Sequence, residues 1–274
     1  MATGGAALTS STPDALWGAP VLRALRPTAI TAIDLSRGPL LDRCNLSVPV
    51  GMRLLVVGNP EAGPSMLLRV LAGLSRPSRG RVELAGLQDP SIGGWGSRIA
   101  YLGPEPGIHQ WMTPREALAL TASLLRLTDA DAARRMDRAF DWVGIPFSDT
   151  TRAVKRGGPR LAQRVGLAAA LIADPEVLLL DEPLRALETE ERARLLRLPG
   201  RRRTVMLASR EPAGEAGIAS HVALLREGRI AMLAPASELD AASLPLSMRG
   251  ILSLAELRSS ARAGAIEHPA ARGA

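Results

Sequence analysis

The chain has 274 residues, 46% of them hydrophobic and 22% charged, enough for one large α/β domain or two small ones with a substantial core. Aromatics are only 3%, so leucine, valine and alanine must do the packing and no tandem aromatics offer a base-stacking platform; the lone Cys44 excludes an internal disulfide and a multi-cysteine metal site. The net charge is +7, but Lys155 is the only lysine and the arginines are interleaved with carboxylates, which reads as an arginine-favouring solvated surface rather than a nucleic-acid site.

Residues 1 to about 25 are rich in Ala, Thr, Ser, Gly and Pro and show no clean period, so a mobile tail is expected there. They lack the basic-then-apolar order of a signal peptide, and no apolar stretch approaches the ~20 residues needed to span a bilayer. A soluble or peripheral protein is expected. One domain then occupies 26–250. "TAITAIDLS" and "CNLSVPVG" read as two strands, followed by "LLVVGNPEAGPSMLLRVLAGL", Leu54 to Leu74. Here a strand enters a Gly58-x-x-x-x-Gly63 loop that opens an amphipathic helix at Ser65. Such a loop cradles phosphate because its backbone N–H groups converge on the positive end of the helix dipole. Gly58, Gly63 and Ser65 supply that framework.

"RVELAG" and "SRIAYLG" read as further strands, and from Thr113 the period becomes helical. "PREALALTASLLRL" starts with Thr113 as N-cap and Pro114 at the first helical position; "DADAARRMDRAFDWV" is a second amphipathic helix. This is an all-helical insertion, about 108–160, inside an α/β chain. "RLAQRVGLAAALIA" is helical, "PEVLLLDEP" is an apolar run fit for a buried parallel strand, "ALETEERARLLRL" is helical and "TVMLAS" is another buried strand. "HVALLREGRIAML" predicts a hairpin through Glu227-Gly228. Residues 251–274 turn small, basic and Pro/Gly-bearing, and a frayed tail is expected.

Asp181, emerging from the buried strand, suits a Mg²⁺ ligand or a residue behind one, and Glu182 suits a general base that polarises an attacking water. A strand-end acidic pair reaching solvent would look the same in isolation; its place downstream of a phosphate-type loop favours the functional reading. His109, His221 and His268 show no metal or catalytic spacing.

With both motifs placed, the chain resembles the nucleotide-binding subunit of an ATP-binding-cassette (ABC) transporter over about residues 28 to 240. The segment "QRVGLAAALIADPEVLLLDEP" is highly specific for that family. The resemblance implies a P-loop NTPase fold of ABC type, with a mostly parallel core sheet, an antiparallel β subdomain and the inserted helical subdomain. It implies ATP held by Gly58, Asn59, Gly63, Pro64, Ser65 and Met66, and Mg²⁺ at Ser65 and Asp181. It also implies a cytoplasmic ATPase, peripheral to the inner face of the cell membrane, that dimerises head to tail and pushes on membrane-spanning partner subunits.

Against the family pattern, Pro64 stands where lysine is expected and deletes a backbone N–H from the cradle. Pro104 takes the place of the Q-loop glutamine, "VKRGGPRLAQRV" lacks the signature's serine and glutamine, and Gly157-Gly158 lie two residues upstream of its glycines. Glu188 replaces the dimer-contacting aspartate, and Arg210 the switch histidine. Arg210 is either a solvent-facing strand-end residue or a phosphate-binding cation that compensates for the lysine. Weak ATP binding and impaired or absent hydrolysis are expected, in a homodimer or beside a competent ABC ATPase subunit. The alternative is a non-catalytic pseudo-ATPase scaffold. Nucleic-acid binding through Arg201 to Arg203 is the less favoured third reading.

Overall fold

The computed structural model describes residues 27–59, 63–85, 87, 94–183, 186–188, 190, 203–215 and 218–266. The first part of the chain builds β1 (Thr28–Arg37), β2 (Leu41–Pro49), β3 (Arg53–Val57), α1 (Pro64–Leu71), β4 (Arg79–Leu84), a short α2 (Trp95–Arg98) and β5 (Ile99–Leu102). The insertion supplies α3 (Pro114–Leu124) and α4 (Asp129–Val143), and α5 (Gly158–Ile172) leads from it back to the sheet. β6 (Val177–Asp181), β7 (Thr204–Ala208), β8 (His221–Arg226), β9 (Arg229–Pro235), α6 (Ser237–Ala241) and α7 (Met248–Ile266) follow.

Two sheets result. The first is antiparallel, in the order β2-β1-β4; the second runs β5-β6-β7-β3-β8-β9, parallel except for β9, which pairs antiparallel with β8. The parallel strands read as unbroken apolar runs because both faces of their sheet are covered. Side chains alternate across it. Leu55, Val57, Leu178, Leu180, Val205 and Leu207 pack with the helical insertion, whereas Leu54, Val56, Val177, Leu179, Met206 and Ala208 pack with α1 and the antiparallel sheet.

In the insertion, Thr113 caps α3 as its sequence predicts. Its Oγ1 accepts from the Glu116 N–H at 3.2 Å while the Glu116 carboxylate accepts from the Thr113 N–H at 2.8 Å, a reciprocal capping box, with Pro114 opening the helix. Thr128 caps α4, and Gly144 ends it in the left-handed conformation. The insertion closes on itself where Val154 N–H donates to Met112 O and Lys155 N–H to Gln110 O.

Two expectations need correction. "SRIAYLG" is strand only from Ile99, since Ser97 and Arg98 belong to α2. The frayed tail expected from 251 is helix as far as Ile266: α7 buries Ile251 and Leu254 and is tied back by Arg258, which pairs with Glu238 at 2.8 Å and donates to Leu233 O. Composition misled here because the Ala, Leu, Arg and Glu that make the segment look simple are also strong helix formers. The N-terminal tail, residues 267–274 and most of "ALETEERARLLRL" lie outside the described residues.

Candidate nucleotide site

β3, β6 and β7 run parallel and side by side, so their C-terminal ends bring Gly58, Asp181 and the segment after Ala208 to one edge of the sheet. Chain reversal into α1 is tight. A Cβ on Gly58 would stand 2.5 Å from the Leu225 carbonyl oxygen, and one on Gly63, at φ +87°, 2.5 Å from that of Leu40. Neither position tolerates a side chain. Gly63 caps α1 and accepts from the Leu67 N–H at 2.8 Å, so the N–H groups of Ser65 and Met66 have no acceptor within the helix and are directed out of its N-terminus. Pro64 fits the first helical position and contributes neither N–H nor charge. Asn59 is exposed beside the loop; residues 60–62 lie outside the described residues.

Ser65 and Asp181, distant in sequence, meet at this edge: Ser65 Oγ donates to Asp181 Oδ1 at 2.9 Å. Asp181 is 1% exposed, and its other oxygen accepts from the Tyr101 hydroxyl at 3.2 Å. Burial pushes the Asp181 carboxyl above its ordinary range, opposed by these two hydrogen bonds and by the positive charges of Arg210 and Arg69. Burial, reinforced by the Asp181 charge, also pushes the Tyr101 hydroxyl well up, so it stays protonated and donating. Sequence reasoning missed Tyr101. The signal was there in the register: it is the only tyrosine, it pairs with Leu179, and Asp181 lies two residues further along β6 on the same face.

Glu182 adopts a left-handed backbone, φ +52°, uncommon for a residue with a Cβ, and is held there by its N–H donating to Ala208 O at 2.9 Å. Its Oε1 accepts from the Arg210 N–H at 3.1 Å, and the Arg210 guanidinium approaches the same oxygen at 3.4 Å. Arg210 is therefore solvent-facing and also paired with Glu182. Behind the carboxylates, the buried Gln163 donates to Pro183 O at 3.0 Å, and Arg160 pairs with Glu188 at 2.8 Å. Gly157 caps α5 and Gly158 follows with φ +62°, so the two glycines open the helix without the signature's side chains. Pro104 is exposed, in the segment that α5 approaches closely at Gly166.

His109 stacks on Trp111, His221 lies beside Ser220 Oγ, and His268 falls outside the described residues. No three His, Cys, Asp or Glu gather among the described residues. Magnesium needs no such cluster: it takes one or two protein oxygens and completes its octahedron with phosphate and water. The Ser65 hydroxyl and Asp181 carboxylate, 2.9 Å apart beside helix-end N–H groups, fit that demand.

A family model described as ABC transporter matches residues 41–185. The chain belongs to the ABC transporter ATP-binding family. It is 34% identical over 212 residues to a taurine import ATP-binding protein of Sinorhizobium fredii, covering 76% of this chain and 75% of that one. It is 33% identical over 220 residues to a nickel import ATP-binding protein of Rhodobacter capsulatus, covering 73% and 85%. Among solved structures, an ATP-binding subunit of an ABC transporter superposes with a TM-score of 0.72 at 20% identity, over 84% of this chain and all of that one. A dimeric ATP-binding cassette bound to ADP and Pi superposes with a TM-score of 0.66 at 16% identity, over 75% of this chain and 98% of that one. Both share the P-loop fold described above. No helix among the described residues is long and apolar enough to cross a membrane.

Proposed function

We propose that the chain is the ATP-binding subunit of an ABC import system, that it holds Mg-ATP weakly, and that it hydrolyses it little or not at all. The observation that carries this reading is the Ser65–Asp181 pair standing beside a loop whose lysine position is Pro64. Ser65 and Asp181 would hold the metal, the Ser65 and Met66 N–H groups the phosphates, and Glu182 would polarise water. Bound magnesium would supply charge neutralisation at the phosphate oxygens. Losing one charged hydrogen bond costs about 1.5–3 kcal/mol, and each 1.4 kcal/mol is about tenfold in affinity. Binding would weaken by roughly ten- to a hundredfold and survive at millimolar ATP.

Turnover demands more. Phosphoryl transfer depends on preorganised cations, one of which can be worth ~10³ to 10⁵ in rate. Here the Arg210 guanidinium is engaged with Glu182, so Arg210 would have to leave Glu182 to serve a phosphate. The import assignment rests on the relatives' names; a place at the cytoplasmic membrane face beside membrane-spanning partners, in a homodimer or with a competent second ATPase, follows from membership of the family. Those relatives are named for the import of taurine and aliphatic sulfonates, which are sulfonate anions, and of nickel, a metal cation, so their names leave the cargo open.

The simultaneous presence of Pro64, Pro104 and Arg210 favours a second reading, a non-catalytic scaffold. ATP binding and hydrolysis by the purified chain with Mg²⁺, beside Ser65→Ala and Glu182→Gln, separate the two. Saturable binding weakened by Ser65→Ala, without turnover, is the expected result. Hydrolysis abolished by Glu182→Gln would overturn the inactivity claim, and no binding at millimolar ATP would leave the scaffold.

A further inference from the structure

Away from the nucleotide site, a cavity of about 420 Å³ lies between α4 and the N-terminal ends of β6 and β7. Arg134, Arg138 and Trp142 fall at successive turns of α4 with Arg135 beside them, and Asp174 and Arg203 close the cavity from the sheet side. Two of the guanidiniums are pre-set by backbone carbonyls: Arg135 donates to Ile172 O at 3.0 Å and Arg203 to Pro175 O at 2.8 Å. Arg203 also pairs with Asp174, and Arg134 with Asp131. Arg138 has no carboxylate partner among the described residues. Among the described residues, four guanidiniums thus line one concavity against one carboxylate, Asp174. Planar five-donor forks gathered this way match phosphate oxygens bidentately.

Position separates this cavity from the nucleotide site. Arg203 immediately precedes β7, and Asp174 and Pro175 precede β6, whereas Asp181 and Arg210 lie at the other ends of the same strands. Five-residue strands place those ends roughly 16 Å apart. A cavity of this size lies in the range of small-molecule pockets, ~300–1,000 Å³, while a membrane surface or a nucleic acid would call for an open basic face.

We propose that this cavity is a second anion site, one that takes a soluble small molecule carrying two or more phosphates. Because its arginines come from both α4 and the sheet, an occupant ties the helical insertion to the core at the end remote from ATP.

Calorimetric titration of the full chain with inorganic pyrophosphate, without divalent metal, tests this, in the parent, Ser65→Ala, Arg138→Ala and Arg135→Ala/Arg138→Ala. Arg138 is exposed, so Arg138→Ala should melt with the parent and keep the test valid if the double variant fails to fold. The expected result is saturable binding that persists in Ser65→Ala and weakens at least tenfold in Arg138→Ala, as one lost charged hydrogen bond implies. Pyrophosphate binding unchanged in Arg138→Ala would overturn the proposal. So would a dependence on Arg138 seen only with phosphatidylglycerol vesicles, or only with single-stranded oligonucleotides, and absent with pyrophosphate.

Discussion

Asp181 condenses the chemistry of the nucleotide edge into one side chain. It is buried, it accepts from Ser65 and Tyr101, and its burial outweighs those bonds, so its carboxyl titrates above its ordinary 3.8. Between that ordinary value and the raised one, the folded chain holds a proton that the unfolded chain has released. Stability therefore falls as pH rises through this window, and the penalty is fully present above it. Asp181→Asn removes the penalty. The variant should melt above the parent at pH 7, with the gap narrowing as the pH falls through this window and gone below about 4, and it should lose magnesium-dependent nucleotide binding at every pH. Melting curves across pH read the first effect; a gap that does not depend on pH would mean that Asn repacks the site and that titration plays no part. Pro64 and Arg210 complete the residue-scale account: the loop keeps its shape because proline suits the first helical position, while the Arg210 guanidinium is held against Glu182.

At the scale of elements, local signals and burial agree in most places. Thr113 caps α3 with a bond in each direction to Glu116, and Thr113→Ala removes both the acceptor for the Glu116 N–H and the geometry of the box. The substitution should cost about 1 kcal/mol, a fall of about 2–4 °C in melting temperature for a chain of this size; an unchanged melting temperature would show the cap redundant with Pro114. Such elements were legible in the sequence because their causes are local: cap, proline, period. The parallel strands were legible because unbroken apolar runs such as "VLLL" need cover on both faces, and the Glu227-Gly228 hairpin because Gly228 readily takes one of the turn's two positive φ values, Glu227 taking the other. α7 was not legible, since its small-residue composition reads as a tail while the same residues are good helix formers, and the packing that buries Ile251 and Leu254 is not stated by sequence spacing. The Tyr101–Asp181 bond was hidden for a related reason: it depends on which strand lies beside which, and sequence spacing does not state β5-β6 adjacency.

The whole molecule is organised by the parallel sheet, whose two faces belong to two cores. On one face Leu55, Leu178 and Leu207 share a continuous apolar cluster with Leu118 of α3 and Phe140 of α4. On the other, Leu54, Leu179 and Met206 share one with α1 and the antiparallel sheet. The helical insertion is therefore no appendage with a core of its own; it completes a core that the sheet begins. Leu118 is fully buried there, and Leu118→Ala should cost about 2–5 kcal/mol through lost burial and the cavity left behind. If the insertion and sheet unfold together, that loss lowers one cooperative transition of the entire chain by about 2–4 °C per kcal/mol. If the insertion melts by itself, calorimetry will resolve two transitions and only the earlier will move. The shared cluster predicts the first outcome. It also gives the arginine cavity its leverage: a ligand bridging α4 and Arg203 would grip the insertion and the sheet at a seam they already share, so pyrophosphate should raise the same single transition in the parent and fail to do so in Arg138→Ala.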